Sequence, residues 1–214
     1  MKKLICILLC AVMLTGVVAV QTVSVSAEGS RNMMAEYVLS NLGIITANTD
    51  MGSGLGQSIT RARFAEMLAQ ILGVSETDAI YFDDVSTDHW AFGSVNALVD
   101  MGIVSRAADR KFNPDDFITY EQAYKMMLCA AGYGEYAEVT GGYPLGYSKL
   151  VGRFDLNENV SGNSGFVSYD DGISILWNGV TIPTYTVERF GADGAITYRV
   201  DDETLLGMYN VAAL

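Results

Sequence analysis

Ile118-Thr119-Tyr120-Glu121-Gln122-Ala123 is the stretch that decides the fold of this chain. A hydroxyl residue followed three positions later by glutamine is a capping box: the threonine oxygen accepts the N3 amide, and the glutamine reaches back to the amide of the cap. Apolar positions then recur at helical spacing through Met127 and Ala131 to Gly132. The same opening stands at Ile59-Thr60-Arg61-Ala62-Arg63-Phe64 and at Val167-Ser168-Tyr169-Asp170-Asp171-Gly172. A pattern that returns about every 50 to 60 residues marks a repeat protein, whose units build their core and their sites between neighbours. Function is to be sought in the grooves.

Working outward, each opening starts the second helix of a helix-loop-helix unit. In unit one, residues 28–75, Met33, Met34, Tyr37, Val38 and Leu42 form a first helical stripe stopped by Gly43. The loop from Thr46 to Ser58 then leads to Phe64, Met67, Leu68, Ile71 and Leu72, closed by Gly73. Unit two, residues 76–138, begins with Phe82-Asp83-Asp84-Val85-Ser86-Thr87-Asp88-His89-Trp90-Ala91, where Ser86 or Thr87 supplies an N-cap for a helix through Val95, Leu98 and Val99. Its stop is Met101-Gly102-Ile103-Val104, and its loop runs from Asp109 to Asp116. Unit three, residues 139–183, is the most worn: Gly141-Gly142-Tyr143-Pro144 opens a short helix with Leu150 and Val151, and a last helix through Ile173, Leu176 and Trp177 ends at Gly179. Residues 184–214 change period: Tyr185 to Phe190, the turn Gly191-Ala192-Asp193-Gly194 and Ala195 to Val200 read as a β-hairpin, with a terminal helix from Thr204 to Val211. A lone hairpin is marginal in water, so it should pack on the helices or begin a further domain.

Met1-Lys2-Lys3, the apolar run Leu4 to Val20 and Val25-Ser26-Ala27 have the three regions of a secretory signal peptide, residues 1–27. Its removal takes Cys6 and Cys10, leaving Cys129 alone in an apolar run, so the exported chain folds without an internal disulfide. Formal charge is −12 and falls to −14 once Lys2 and Lys3 leave. Such a surface repels nucleic acid and anionic membranes, and any anionic polymer it binds needs local cations to override the mean field.

Unit two resembles the S-layer homology repeat through Phe82, Asp84, Val85, Trp90, Ala91, Gly102, Ile103, Phe112, Pro114 and Ile118-Thr119, in that order. Unit one matches through Gly43-Ile44 and Thr60-Arg61-Ala62, and unit three through Gly141-Gly142-Tyr143-Pro144 and Ser168-Tyr169-Asp170-Asp171. The resemblance implies a mainly α fold: three helix-loop-helix repeats in a pseudo-threefold prism, here with a short C-terminal β-hairpin extension. It also implies a secreted, non-catalytic cell-wall module that binds a pyruvylated secondary polysaccharide attached to peptidoglycan. Further domains or surface-layer proteins are its other expected partners, with no nucleic acid, no membrane after signal cleavage and no cofactor.

In that family the motif arginine meets the acidic sugar at a helix N-terminus. Free amides and the helix dipole attract a carboxylate there, and a guanidinium adds a planar two-donor contact. Only unit one keeps the arginine, as Arg61; Tyr120 and Tyr169 replace it in units two and three, and Arg63 replaces the family's glutamate. The candidate carbohydrate-binding residues are therefore Thr60, Arg61, Arg63, Trp90, Tyr120, Glu121, Tyr169 and Asp170, with Arg106 and Lys111 as supplementary cations. Each has a plainer role: Thr60, Thr119 and Ser168 are N-caps in any case, Arg61 is a first-turn side chain, and Trp90 and Trp177 read first as core anchors.

His89 is the sole histidine and has no cysteine or histidine companions, so no metal site is expected. Asp155-x-Asn157-x-Asn159 opens like a calcium loop, but Val160 and Phe166 stand where glycine and glutamate belong. The aspartate pairs at 83/84, 115/116 and 170/171 are adjacent rather than opposed across a cleft, and no nucleophile-elbow, zincin or P-loop motif is present, so no catalysis is expected. The alternative is a degenerate module that serves as a structural spacer or protein-assembly surface without glycan binding.

Overall fold

The computed structural model describes residues 35–40, 43, 57–74, 77–190 and 196–208, with backbone alone at 187–190 and 196–198. The leader at 1–27, Met33, Met34, Leu42, most of the loop from Thr46 to Ser58 and the hairpin turn lie outside the described residues, as does the end of the C-terminal helix. Residues 35–40 are helical and bury Ala35 and Leu39. Thereafter come α1 (Arg61–Leu72), α2 (Phe92–Asp100), α3 (Tyr120–Ala130), α4 (Gly134–Val139), α5 (Leu145–Arg153) and α6 (Tyr169–Thr181), then β1 (Pro183–Phe190), β2 (Ile196–Thr204) and α7 (Leu205–Met208). The fold is mainly helical, with one antiparallel two-stranded hairpin among the described residues.

The three quoted openings all form capped helices. Thr60, Thr119 and Ser168 are extended, and their hydroxyls accept the N3 amides of Arg63, Gln122 and Asp171 at 3.2, 3.4 and 3.2 Å. At Thr119 the box is complete, because its own amide donates to Gln122 Oε1. The apolar residue before each cap is buried, and its backbone amide must still find an acceptor. Here the three extended segments serve each other in a closed ring. Ile59 N–H donates to the Val167 carbonyl, Val167 N–H to the Ile118 carbonyl and Ile118 N–H to the Ile59 carbonyl, at 2.9, 2.9 and 3.0 Å.

Beneath the ring lies one continuous core. Phe64, Met67 and Leu68 of α1, Leu98 of α2, and Met127 and Leu128 of α3 are fully buried within it, together with Leu156, Ile175 and Leu176. Each such side chain contributes on the order of 1.5–3 kcal/mol by leaving water. Trp177 packs half-buried against this core. Cys129 is half-buried with its sulfur 3.8 Å from the Tyr147 hydroxyl, and burial pushes the thiol's pKa up, away from reactivity.

Several boundaries differ from the sequence reading. The first helix of unit two is not capped by Ser86 or Thr87: residues 86–91 turn tightly, with His89 N–H bonded to the Ser86 carbonyl and Ala91 N–H to His89 Nδ1, and α2 starts only at Phe92. Trp90 is thereby held outside the helix, 43% exposed and stacked on His89 at 5.3 Å, so it is not a core anchor. Gly179 does not end α6, which runs on to Thr181; a Cβ at this glycine would lie 2.1 Å from Met127 Cγ, so the residue lets α6 cross closely over α3. Helix α4 has no counterpart in the sequence reading, because six residues are too few to show a period.

The hairpin is docked on the helices. Tyr185 N–H donates to the Ala131 carbonyl at 2.9 Å, Tyr133 Oη donates to the Pro183 carbonyl at 2.9 Å, and the Tyr133 and Tyr185 rings stack at 4.9 Å. Gly132, at φ 88°, passes under Tyr185 so closely that a Cβ would sit 1.9 Å from its carbonyl oxygen. Leu205 of α7 closes this side of the core.

Candidate functional site

The start of α1 is pinned by the loop of unit two. Arg61 N–H donates to the Asp116 carbonyl at 2.9 Å and Ala62 N–H to the Pro114 carbonyl at 3.0 Å, while Arg63 N–H goes to the Thr60 hydroxyl. The first three amides of α1 therefore have protein acceptors, and the picture of free amides waiting for an anion does not hold at this helix. That loop is itself clamped, because the Asp84 carboxylate accepts the amides of Phe112 and Asn113, both at 2.8 Å. Asp84, the aspartate of the Phe-x-Asp-Val opening, thus positions the segment against which α1 begins.

Arg61 is drawn into the same join. Its Nε donates to the Phe112 carbonyl at 2.8 Å and its guanidinium lies over the Phe112 ring, 4.7 Å from the centroid. Burial lowers its pKa, opposed by the charges of Asp116, Tyr143 and Asp84. Arg61 borders a groove of about 700 Å³ that also holds Lys111, Asp109, Asp115 and Asp116. Three carboxylates against two cations make that groove poorly suited to a polyanion.

A second groove, about 480 Å³, brings together Thr60, Arg63 and Trp90 with Gln57, Asp115 and Phe117. Here a cation, two exposed aromatic rings and hydroxyl and amide side chains share one wall. Phe117 is 47% exposed and belongs to both grooves; its ring lies 5.6 Å from that of Phe166, itself 56% exposed. Neither phenylalanine was singled out in the sequence. The available signal was positional: each stands immediately before the buried Ile118 or Val167, and in extended backbone the neighbour of an inward residue faces out.

The remaining candidates are dispersed. Tyr120 is 4% exposed and its hydroxyl donates to Asp171, which also accepts the amides of Ser161 and Gly162 at 2.7 and 3.2 Å. It joins units two and three rather than presenting a ring to solvent. Glu121 is exposed and borders a small separate cleft with Tyr124 and Tyr147. Tyr169 is 6% exposed, donates its amide to the Gln57 carbonyl at 2.8 Å, and lies within the electrostatic reach of Arg63. Asp170 is half-exposed in the first turn of α6. Of the supplementary cations, Lys111 borders the larger groove, whereas Arg106 stacks on Tyr81 at 5.2 Å, away from both. Among the described residues no cluster of three metal-ligating side chains occurs, and no helix is long and apolar enough to cross a membrane.

A polar groove with exposed aromatic rings thus lies beside a partly buried guanidinium at the join of the capped helices. Residues 81–123 match the S-layer homology domain. It is similar to the middle cell wall protein of Brevibacillus brevis, at 25% identity over 80% of this chain and 16% of that protein. It is likewise similar to a surface layer protein of Brevibacillus choshinensis, at 28% identity over 80% of this chain and 15% of that protein. A third similarity, to an endoglucanase of a Bacillus species, is 32% identical but covers 43% of this chain and 10% of the enzyme. The chain spans about one sixth of the length of the two wall and surface proteins. The domain match and these relatives support secretion and a location at the cell wall or surface.

Proposed function

We propose that this chain anchors to the cell wall by binding a pyruvylated secondary polysaccharide in grooves between its repeats, and that the repeats form a pseudo-threefold prism. The closed ring through Ile59, Ile118 and Val167 supports the prism, since it relates three capped helices by equivalent bonds. The glycan reading is carried by the groove of Thr60, Arg63, Trp90 and Phe117. Sugars present apolar faces to aromatic rings and hydroxyls to polar side chains, and a ketal carboxylate takes a guanidinium. The test is co-sedimentation of the secreted chain with sacculi from its source, before and after removal of the secondary polymer. Pelleting that disappears on extraction is the expected result; failure to pellet with intact sacculi would sink the reading.

The second reading, a spacer or assembly surface without glycan, is favoured by one observation. At the position of the motif arginine, Tyr120 and Tyr169 are buried and engaged in contacts between units, so two of the three openings hold no cation there for a ligand.

A further inference from the structure

We infer that His89 is a proton-sensitive latch on Trp90: its neutral imidazole closes the turn that places the indole on the groove wall, and protonation opens it, so wall binding weakens in mild acid. The inference rests on the anchoring reading above and gives that site a regulation. Residue 89 is fixed from three sides. Its amide donates to the Ser86 carbonyl at 2.8 Å, its carbonyl accepts the Phe92 amide at 2.9 Å, and its side-chain Nδ1 accepts the Ala91 amide at 3.1 Å. The same ring stacks on Trp90, 5.3 Å between centroids and 27° between planes. One imidazole thus closes the turn and supports the indole that borders the groove with Thr60, Arg63 and Phe117.

The bond at Ala91 depends on the imidazole being neutral. Ala91 is fully buried, so water does not readily replace the ring as acceptor, and no side chain caps α2 in its stead. A neutral imidazole keeps one acceptor nitrogen, whereas an imidazolium carries two N–H donors and no acceptor. Protonation therefore sets donor against donor in every orientation of the ring. It also places a positive charge beside the N-terminus of a nine-residue helix, the end that disfavours cations. Charged side chains around the groove pull both ways: Arg63 of α1 opposes a second cation, while Asp115 of the loop and Asp88 in the turn favour one. These effects offset each other in part, and the lost bond decides. A charged ring still attracts an indole, so Trp90 leaves the wall together with His89 as the turn opens. His89 is the sole histidine, and imidazole is the side-chain class whose charge changes between about pH 8 and 5.

The experiment takes the secreted chain from about pH 8 to about pH 5 with two readouts. One is protection of the Ala91 amide from exchange, corrected for the intrinsic pH dependence; the other is retention on sacculi. His89→Asn and His89→Ala accompany the wild type, and a melting curve at each pH separates unfolding from release. Asparagine Oδ1 can accept the amide two residues on without titrating, and alanine cannot accept it at all. Wild-type Ala91 protection should fall about tenfold across this range, with retention falling several-fold in step. His89→Asn should hold one level throughout in both readouts, and His89→Ala should sit at the level of acidified wild type at every pH. A His89→Asn chain that titrates like the wild type overturns the inference, because the titrating group then lies elsewhere. So does a wild type whose Ala91 protection is flat, or one that binds sacculi equally across the range. A chain that shows the Ala91 titration yet pellets with sacculi at no pH overturns the anchoring reading and leaves the latch on Trp90 in place.

Discussion

Arg61 and Tyr120 occupy the same place, the first residue of a capped helix, and both reach into the next unit. Arg61 braces the Phe112 segment with a cation over a ring, and Tyr120 braces the third unit through Asp171. The motif position is thus a joint between units before it is a ligand contact, which is why arginine could give way to tyrosine there. Tyr120→Phe removes one bond to a charged acceptor while Asp171 keeps its two amide donors, and it should cost about 1.5–3 kcal/mol in urea unfolding. Wall retention should be unchanged, because Tyr120 presents no ring to solvent. Burial and, secondarily, Asp171 also raise the Tyr120 phenol's pKa, and burial pushes Tyr124 up to about 12. The neutral phenols therefore favour the folded state fully below the unfolded pKa of about 10, and that contribution is lost as pH rises through the folded values. Urea midpoints should be level through neutral pH and drop above about pH 10, with phenolate absorbance rising late in the folded protein. A midpoint indifferent to alkali would contradict this. Phe117→Ala takes away the ring shared by the two grooves and should weaken sacculus retention several-fold, with a smaller loss of melting temperature than a core truncation, since the side chain is about half exposed.

The caps and the stripe of α1 are the legible elements; the first stripe is not, since Tyr37 is 68% exposed while Ala35 and Leu39 are buried in its place. Thr60, Thr119 and Ser168 were read as caps and are caps, and Phe64, Met67, Leu68, Ile71 and Leu72 were read as one helix face and are buried together. These are local signals, fixed by residues three or four apart. What failed to show was non-local. Gly179 resembles a helix stop in sequence, and only the closeness of Met127 on α3 shows that it is a crossing point. Trp90 resembles a core residue by type, whereas the turn made by Ser86 and His89 delays α2 and leaves the indole outside. The candidate site was half legible for the same reason: Thr60, Arg63 and Trp90 do share a groove, but Phe117 enters through packing of the ring, and Tyr120 leaves it through a bond to a residue fifty-one positions away. Two changes test the elements. Gly179→Ala forces a methyl into the fully buried Met127 and should cost about 1–3 kcal/mol. Gly132→Ala meets backbone rather than a side chain, so the hairpin should lift first, seen as faster amide exchange in residues 183–190 before any loss of helix signal.

At the scale of the molecule, the ring makes the three capped openings each other's neighbours rather than links in a row. A linear array can fray from one end, with stability that adds unit by unit. Here Ile118→Pro removes the amide that bonds Ile59, and should melt all three units in a single transition at lower temperature. Two separated transitions would show that the units are energetically independent. The net charge of −12 works against any acidic polymer at long range, so binding of the kind proposed needs a local cation that prevails at contact. Retention on sacculi should therefore respond weakly to salt, where long-range repulsion and short-range attraction are screened together, yet vanish when the short-range member is removed.

The hydrogen bonds among Ile59, Ile118 and Val167 form a circuit with no spare donor and no spare acceptor. Trimming the chain to two units would strand an amide on one side and a carbonyl on the other, and splicing in a fourth would have to break the circuit to join it. Any duplication that keeps the circuit intact must therefore copy all three segments together, each set closed on itself.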